Sequence, residues 1–260
     1  MIEESEVEED EASAATEDLL DYEPADYPPV AVTVDVVILT IEDKALKVLL
    51  VRRAQPPFEG MWALPGGFVR PDETLDEAAL RELGEETGLE PAAPIEQLRS
   101  YGDPGRDPRM RVITVAYVAV LKSVSGLRAG SDAAEARLVE VASLLGETGE
   151  PPAFQLAFDH EEIVADAVEL LRARLESTLF ASAFVGAEFT LAELRGVYEA
   201  VWGVELDPAN FRRKVLGVQN YLIPTGSRVP PGPEGGRPAE LYRVNQSVVE
   251  FAPVIRRTLA

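Results

Sequence analysis

The feature that most constrains this chain is the run GFVRPDETLDEAALRELGEETGL at residues 67–89. Thr74 is a residue type that caps the start of a helix, and the alanines and leucines after it favour helix. Gly88 suits the left-handed turn that commonly ends a helix. The run therefore predicts a helix that begins after Thr74 and ends at Gly88.

Three glutamates of this helix are predicted to form a metal site. Glu82, Glu85 and Glu86 are spaced i, i+3 and i+4, so their carboxylates share one helix face and repel one another. A hard cation such as Mg²⁺ or Mn²⁺ removes that repulsion and can also bridge to substrate phosphates. Upstream, Gly66 and Gly67 form a turn whose backbone can approach a ligand or metal closely.

Arg81 is predicted to have a structural role rather than a catalytic one. Its guanidinium can pair with Glu73 and fix the preceding loop against the helix. The competing interpretation is a solvated acidic helix, which is what most glutamate-rich helices are. Adjacent glutamates are common, but both glycines and the arginine at this spacing are not.

The run resembles the Nudix box at every fixed position, and the chain is identified as a Nudix relative. Those positions are Gly67, Glu73, Arg81-Glu82-Leu83, Glu85-Glu86 and Gly88. The resemblance implies an α/β fold, the Nudix α/β/α sandwich with a mixed sheet. It also implies a Mg²⁺- or Mn²⁺-dependent hydrolase of a nucleoside diphosphate linked to another moiety.

The composition excludes several other kinds of site. The chain of 260 residues has no cysteine and a single histidine, His160. Disulfide frameworks and thiolate chemistry are therefore excluded, and histidine zinc sites and Ser-His catalysis are poorly supported. No apolar run reaches the length of a membrane span, and no basic region precedes an apolar segment at the start. We expect a cytoplasmic protein with no membrane partner.

The acidic charge is concentrated in an N-terminal tail, residues 1–27. The first 26 residues hold twelve Asp or Glu and no Lys or Arg, whereas the whole chain has a net charge of -22. Low hydrophobicity with one-sided charge predicts disorder. The tail is open to three roles: a solubility segment, which is the default, a docking segment, or an electrostatic competitor for a basic surface.

Hydrophobic periodicity predicts a first domain over residues 28–155 and a connector over residues 156–179. A polar turn at Glu42-Asp43-Lys44 joins the first two of four β-branched runs that predict strands, at residues 30–39, 47–53, 111–121 and 137–141. An amphipathic helix follows at residues 159–176. Helices packed on a mixed sheet are the expected assembly.

The remaining residues, 180–260, predict a winged helix-turn-helix domain. Thr190 and Glu193 form a capping box that opens a helix through Trp202, and Asp207-Pro208 starts a second helix with the sequence NFRRKVLGVQN. Two strand-like runs follow, separated by a Pro/Gly-rich loop. The residues predicted to contact double-stranded DNA are Asn210, Arg212, Arg213, Lys214, Arg228 and Arg237. The alternative is a protein-interaction or dimerisation module.

The two halves together resemble the NAD-related Nudix regulators and their hydrolase relatives. The segments that carry this resemblance are AFDH, FTLAELRGVYEAVWG, NFRRK and GRPAELYR. It implies a domain that binds ADP-ribose or a related nucleotide and a winged helix that represses genes of NAD metabolism as a homodimer. Several members have lost box glutamates, but this chain keeps all of them.

The loop at residues 101–109 is the predicted substrate contact. Pro104 lies sixteen residues after Gly88, where proline is associated with ADP-ribose pyrophosphatases among Nudix relatives. Arg106 and Arg109 are suited to bidentate hydrogen bonds with phosphate. The equally weighted alternative is a proline-stiffened hairpin with exposed arginines.

The predicted reaction is metal-assisted attack of water on a diphosphate. Glu85 and Glu86 are candidates for the base, and the resemblance points to Glu135 as the best candidate outside the box. Three functions remain open. They are a hydrolase with a DNA-binding regulatory domain, a non-catalytic ADP-ribose-sensing repressor, and a hydrolase whose winged helix binds only protein.

Overall fold

The computed structural model describes residues 23–88, 95–122, 133–152, 154–230, 238–245 and 247. Two short 3₁₀ helices are found at Pro24–Asp26 and Leu179–Phe184. The strands and α-helices are β1 Ala31–Glu42, β2 Ala45–Arg53, β3 Trp62–Ala63, β4 Gly66–Phe68, α1 Leu75–Thr87, β5 Glu96–Tyr101, β6 Val112–Val120, β7 Ala133–Glu140, α2 Val141–Leu144, α3 His160–Ser177, β8 Phe189–Thr190, α4 Leu191–Trp202, α5 Pro208–Leu216, β9 Leu222–Val229 and β10 Ala239–Val244.

The first domain is built on a mixed sheet. Its strand order is β3-β2-β1-β6-β5, with β4 also paired to β1 and β7 to β2. Strands β1 and β6 run parallel, from Ala31 opposite Val112 to Leu39 opposite Val120, and the other pairs in this sheet are antiparallel. Residues 33–40 of β1 are all buried, as expected for a strand covered on both faces.

Helices cover both faces of this sheet. On one face α1 packs Ala78, Ala79 and Leu83 against β1 and β6. On the other face α3 packs residues such as Ile163 and Leu171 against the same strands. The arrangement is the predicted α/β/α sandwich.

Local sequence signals set the ends of the box helix. Thr74 accepts a hydrogen bond from the Glu77 backbone N–H, and the Glu77 carboxylate accepts one from the Thr74 N–H. Gly88 has φ 69°, a left-handed conformation that costs glycine little. The predicted start and end of the helix are confirmed. Asp43 and Lys44 have positive φ in a tight hairpin between β1 and β2, where the turn was predicted.

The winged helix forms as predicted, but its second helix is shorter. Thr190 and Glu193 form the capping box of α4, and Asp207 caps α5 through the Asn210 N–H. The prediction extended the second helix through Asn220, whereas α5 ends at Leu216. The reason is that the Gly217 N–H bonds to the carbonyls of Arg213 and Lys214, which tightens the last turn.

Strand β5 was missed by sequence reasoning, and β7 is longer than predicted. Periodicity placed the start of the last strand at residue 137, whereas β7 begins at Ala133, which pairs with Arg53 of β2. The residues of β5, EQLRSY, are mostly polar and are held in a strand by pairing with β6. In both cases a neighbouring strand overrides a weak local signal.

The two domains share one hydrophobic core, joined through α3. One continuous cluster includes Leu171 and Leu175 of α3 and Val197 and Val201 of α4. Buried Arg172 donates from Nε to the Val201 carbonyl at 3.1 Å, and Trp202 Nε1 donates to the Arg172 carbonyl at 3.2 Å. Within the described ranges, no helix is long and apolar enough to cross a membrane.

Candidate functional site

A cleft of about 440 Å³ lies where β1, β4 and α1 meet the loop after β5. The strand β4 brings the glycine turn to this cleft, and α1 brings the acidic face predicted from its spacing. The residues of the predicted metal site that line it are Gly66, Gly67, Glu82, Glu85 and Glu86. The fold therefore places all five at one location.

Arg81 holds three carboxylates of the box together. Its Nε donates to Glu73 at 2.8 Å, and its Nη1 donates to Glu82 at 2.6 Å and to Glu85 at 3.2 Å. Only 15% of the Arg81 side chain is exposed. The hydrogen bond from Arg81 lowers the pKa of Glu73 to about 2. Sequence reasoning paired Arg81 with Glu73, and the structure adds contacts to two glutamates of the predicted metal site.

The Glu82 carboxylate is pressed against the backbone of the glycine turn. A Cβ on Gly67 would lie 2.2 Å from Glu82 Oε1, so a side chain cannot fit there without moving the carboxylate. Burial raises the pKa of Glu82, and the contact with Arg81 opposes that shift. The cleft thus holds a partly desolvated carboxylate whose charge is offset in this structure by Arg81.

Glu85 and Glu86 approach the cleft from the same helix face. The Gly66 N–H donates to Glu86 at 3.2 Å, and Arg70 lies 3.3 Å from Glu85. Glu85 is half exposed. A Cβ on Gly66 would lie 2.3 Å from the Val34 carbonyl, because β4 runs against β1 there.

The donor set of the cleft fits a hard divalent cation. It consists of carboxylate oxygens beside a glycine turn, and these are the ligands that Mg²⁺ and Mn²⁺ prefer. In the described part of the chain, no three acidic or histidine side chains already converge on one metal position. A cation held by these glutamates would therefore need their carboxylates to come closer together than they lie here.

The two arginines predicted to contact phosphate line the cleft, but each is paired within the chain. Arg106 is 5% exposed and donates to Asp159 from Nε at 2.7 Å and from Nη2 at 2.6 Å. Arg109 donates to Asp107 at 3.0 Å and 2.7 Å. The alternative prediction, a stiff hairpin with exposed arginines, is thus wrong for Arg106. Its side chain is buried because it pairs with Asp159 at the start of α3.

Sequence reasoning missed a buried pair in the lining of the cleft, Asp35 and His160. His160 Nδ1 accepts from the Leu64 N–H at 2.8 Å, and its Nε2 lies 3.5 Å from Asp35 Oδ1. Burial lowers the pKa of His160. Because Nδ1 accepts the Leu64 N–H, the imidazole carries its proton on Nε2, toward Asp35. The available sequence signal was Asp35, an acid inside the apolar run of β1.

Glu135 is not brought to the cleft. It was predicted to lie just before a strand, but it lies within β7, in register with Arg52 of β2. Its carboxylate is 4.0 Å from Arg52 Nη1, and it is not among the described residues that line the cleft. The pairing of β7 with β2 fixes this position.

The second domain carries a group of basic residues on α5 and on the strands β9 and β10, which we call the basic face. We define it as Arg212, Arg213, Lys214, Arg228 and Arg243, of which all but half-buried Lys214 are exposed. Among the residues that the structure describes, no carboxylate lies within 4.0 Å of any of their charged groups. Arg213 donates to Asn210 Oδ1 at 2.7 Å. Sequence reasoning did not include Arg243 in its DNA-binding set, and Arg237, which it did include, lies outside the described residues.

The contact between Gly67 and Glu82 generates a prediction on metal affinity. Gly67→Ala is expected to displace the Glu82 carboxylate and weaken Mn²⁺ binding by roughly 10–100-fold. Gly196→Ala is the control, because a Cβ there meets nothing within 4 Å. Titration calorimetry with Mn²⁺ measures both variants. Unchanged affinity in Gly67→Ala would contradict the assignment of Glu82 as a ligand.

Comparison with known proteins agrees with this geometry. A relative from Acinetobacter baylyi, the ADPR responsive transcriptional repressor NtrR, is 33% identical over 86% of this chain and 86% of its own length. The ADP-ribose pyrophosphatase of Methanocaldococcus jannaschii is 43% identical over 52% of this chain and 72% of its own length. The crystal structure of Shewanella oneidensis NrtR complexed with a 27mer DNA has a TM-score of 0.70 at 34% identity, covering 85% of this chain and 98% of that chain.

Family models divide the chain in the same way. The NUDIX domain model matches residues 30–166, and the model of the NrtR DNA-binding winged helix domain matches residues 182–244. With the intact box at the cleft and the winged helix behind it, the chain belongs to the Nudix family and carries an NrtR-type winged helix domain.

Proposed function

We propose that this chain is a Mg²⁺- or Mn²⁺-dependent hydrolase of ADP-ribose or an NAD-related nucleotide, fused to a DNA-binding domain that responds to that nucleotide. The observation that carries the proposal is the convergence of Glu82, Glu85 and Glu86 on a cleft beside the glycine turn. Nudix hydrolases generally use a divalent metal ion. We further propose a homodimer, with domains at residues 28–155 and 180–260 joined by residues 156–179. Control of NAD-metabolism genes stays a prediction of the family resemblance.

The relatives and the lining of the cleft support an ADP-ribose-type substrate. The names of two relatives refer to ADP-ribose or ADPR. Phe158 and Phe68 line the cleft, with Arg53 4.8 Å and Arg109 5.3 Å from the respective ring centroids. Aromatic rings beside cations suit a substrate that combines a flat base with phosphates. We assign Arg106 and Arg109 to phosphate contacts that compete with their present carboxylate partners.

The proposed mechanism assigns separate roles to the glutamates. Glu82, set against Gly67, and Glu86, oriented by the Gly66 N–H, hold the metal. When bound, the metal lowers the pKa of a water and neutralises charge on the phosphates. Glu85 shares in holding it and takes the proton from the attacking water. The water oxygen bonds to phosphorus, the bridging P–O bond breaks, and ADP-ribose yields AMP and ribose 5-phosphate.

Glu85 is our choice of base because of its position. It is half exposed at the cleft, whereas Glu135 pairs with Arg52 on β7. The sequence had predicted Glu135 as the best candidate for the base among residues outside the Nudix box. Glu135 is absent from the lining of the cleft, which it adjoins only through Arg52, and this makes it a useful control.

Removal of the Glu85 carboxylate is expected to abolish most turnover. Glu85→Gln should lower kcat for AMP release from ADP-ribose by roughly 10²–10⁴-fold, the usual contribution of general base catalysis. The kcat of Glu135→Gln should stay within about 10-fold of that of the parent chain, because a general base contributes more than this. Glu135 does not line the cleft, and the variant loses only a long contact with Arg52. The assay is run at several Mg²⁺ concentrations, with NAD and NADH as comparators. Full turnover by Glu85→Gln would contradict the assignment.

A non-catalytic sensor is the second candidate function. The observation in its favour is that Arg81 holds Glu82 and Glu85 in a closed network. Nucleotide binding without AMP release by the parent chain would select this function instead.

The basic face supports DNA binding by the second domain. The chain has 46 acidic and 24 basic residues, and arginines of the first domain such as Arg81, Arg106 and Arg109 are paired with carboxylates. Arg212, Arg213 and Lys214 are grouped on one helix of a winged helix domain, and such a group of cations supports binding of a polyanion. The second helix of a helix-turn-helix, here α5, is the element that enters the major groove.

Loss of one cation from α5 is expected to weaken DNA binding in a salt-dependent manner. Arg213→Ala should reduce the slope of log affinity against log salt by about 1, because one fewer phosphate is neutralised. Arg137→Ala is the matched control, an exposed arginine on β7 of the first domain. Fluorescence anisotropy with a labelled 30-base-pair duplex measures both. Equal slopes for the two variants would contradict a role for α5.

Helix α3 offers a physical route from nucleotide to DNA. Asp159 precedes its first turn and binds Arg106 in the cleft, while Arg172 near its other end binds the Val201 carbonyl of α4. A nucleotide phosphate that takes Arg106 leaves Asp159 without its partner, which alters the packing at the start of α3. We propose that nucleotide binding thereby shifts the DNA affinity of the winged helix.

A further inference from the structure

The acidic N-terminal segment, residues 1–22, is matched in charge to the basic face. It contains ten Asp or Glu and no Lys or Arg, so it carries much of the net charge of -22. We propose that this segment docks on the basic face of its own chain and competes with DNA for it. The inference rests on the proposed DNA-binding function, since DNA is the ligand that the segment would displace.

Charge complementarity supports this docking, because the cations of the basic face lack the close acidic partners that several other arginines have. Arg99 is paired with Asp166, Arg172 with Glu147, and Arg174 with Glu96. In the ranges that the structure describes, no carboxylate lies within 4.0 Å of the charged groups of the basic face. Opposite charges in one chain attract most strongly where the cation has no closer partner.

The length of the acidic segment allows this contact. A chain of 22 residues spans up to roughly 75 Å when extended. A compact chain of this protein's length has a radius of gyration of about 18 Å. The segment joins the described chain at Glu23, where residues 25–30 are exposed on the way into β1. The segment is therefore long enough to reach the basic face from its attachment point.

Attachment to the same chain increases the occupancy of a weak contact between the segment and the basic face. A tethered ligand acts at an effective concentration of about millimolar, so an interaction too weak to persist between separate molecules is populated within one. DNA meets the same cations through phosphates, and both contacts weaken as salt rises. Docking therefore reduces DNA affinity at low salt and has little effect at high salt.

The experiment compares three forms of the full protein in binding a labelled random-sequence 30-base-pair duplex. They are the complete chain, a chain lacking residues 1–22, and a chain of full length whose ten acids in that segment are changed to Asn or Gln. Both altered chains are expected to bind DNA about 10-fold more tightly at roughly 50 mM salt, with less than about 2-fold difference at roughly 300 mM. Their affinity should also fall more steeply with salt than that of the complete chain. Equal affinity of all three forms at low salt would overturn the proposal.

A second measurement separates docking from general repulsion of DNA by an acidic chain. A labelled peptide of residues 1–22 is titrated with the truncated chain, which itself retains a formal charge of -12 once ten acids are removed from -22. Docking predicts binding at low salt that is lost in an Arg213→Ala, Arg228→Ala double variant. No binding of the peptide at concentrations up to about millimolar, the effective concentration of the tethered segment, would overturn the proposal even if truncation improved DNA affinity.

The peptide titration also distinguishes this proposal from the proposed function. If no form of the protein binds DNA, the DNA-binding function fails, and competition with DNA fails with it. Peptide binding that depends on Arg213 and Arg228 would then still establish docking on the basic face. If DNA binds and the peptide does not, only the docking proposal fails.

Discussion

Both domains are packed on the connector helix α3, and the rest of the structure depends on that packing. Ile163, Val164, Ala167 and Val168 are fully buried against the first domain's sheet. Toward the other end, Arg172 donates to the Val201 carbonyl and Trp202 donates to the Arg172 carbonyl, both across the domain boundary. Each fully buried Val or Ile side chain contributes about 1.5–3 kcal/mol. A rotation or shift of α3 would disturb contacts in both domains at once.

The start of α3 also sets the geometry of the cleft. His160 accepts from the Leu64 N–H, two residues before Gly66, and Asp159 holds Arg106 in the interior. The glycine turn in turn fixes the Glu82 carboxylate through its contact with Gly67. The helix therefore positions both the arginine assigned to phosphate and the backbone beside the predicted metal site. Binding in the cleft and packing of the winged helix are thus linked through one element.

Features encoded by neighbouring residues were predictable from the sequence. The capping boxes at Thr74 and Thr190, the left-handed Gly88 and the acidic face of α1 follow from spacing within a few turns of helix. Contacts between distant residues were not. Arg106 meets Asp159 across 53 residues and His160 meets the Leu64 N–H across 96, and no local periodicity encodes either pair. Glu135 was misplaced for the same reason, because the partner strand β2 determines where β7 begins.

If nucleotide and DNA binding are coupled, each ligand changes the affinity for the other, so one affinity is measured in the presence of the other ligand. The dissociation constant of ADP-ribose for the Glu85→Gln chain is measured with and without a saturating DNA duplex. By linkage, coupling through α3 predicts that DNA changes this constant by about 5–150-fold, the typical range for allosteric pairs. The same constant under both conditions, with binding of each ligand intact, would contradict the account.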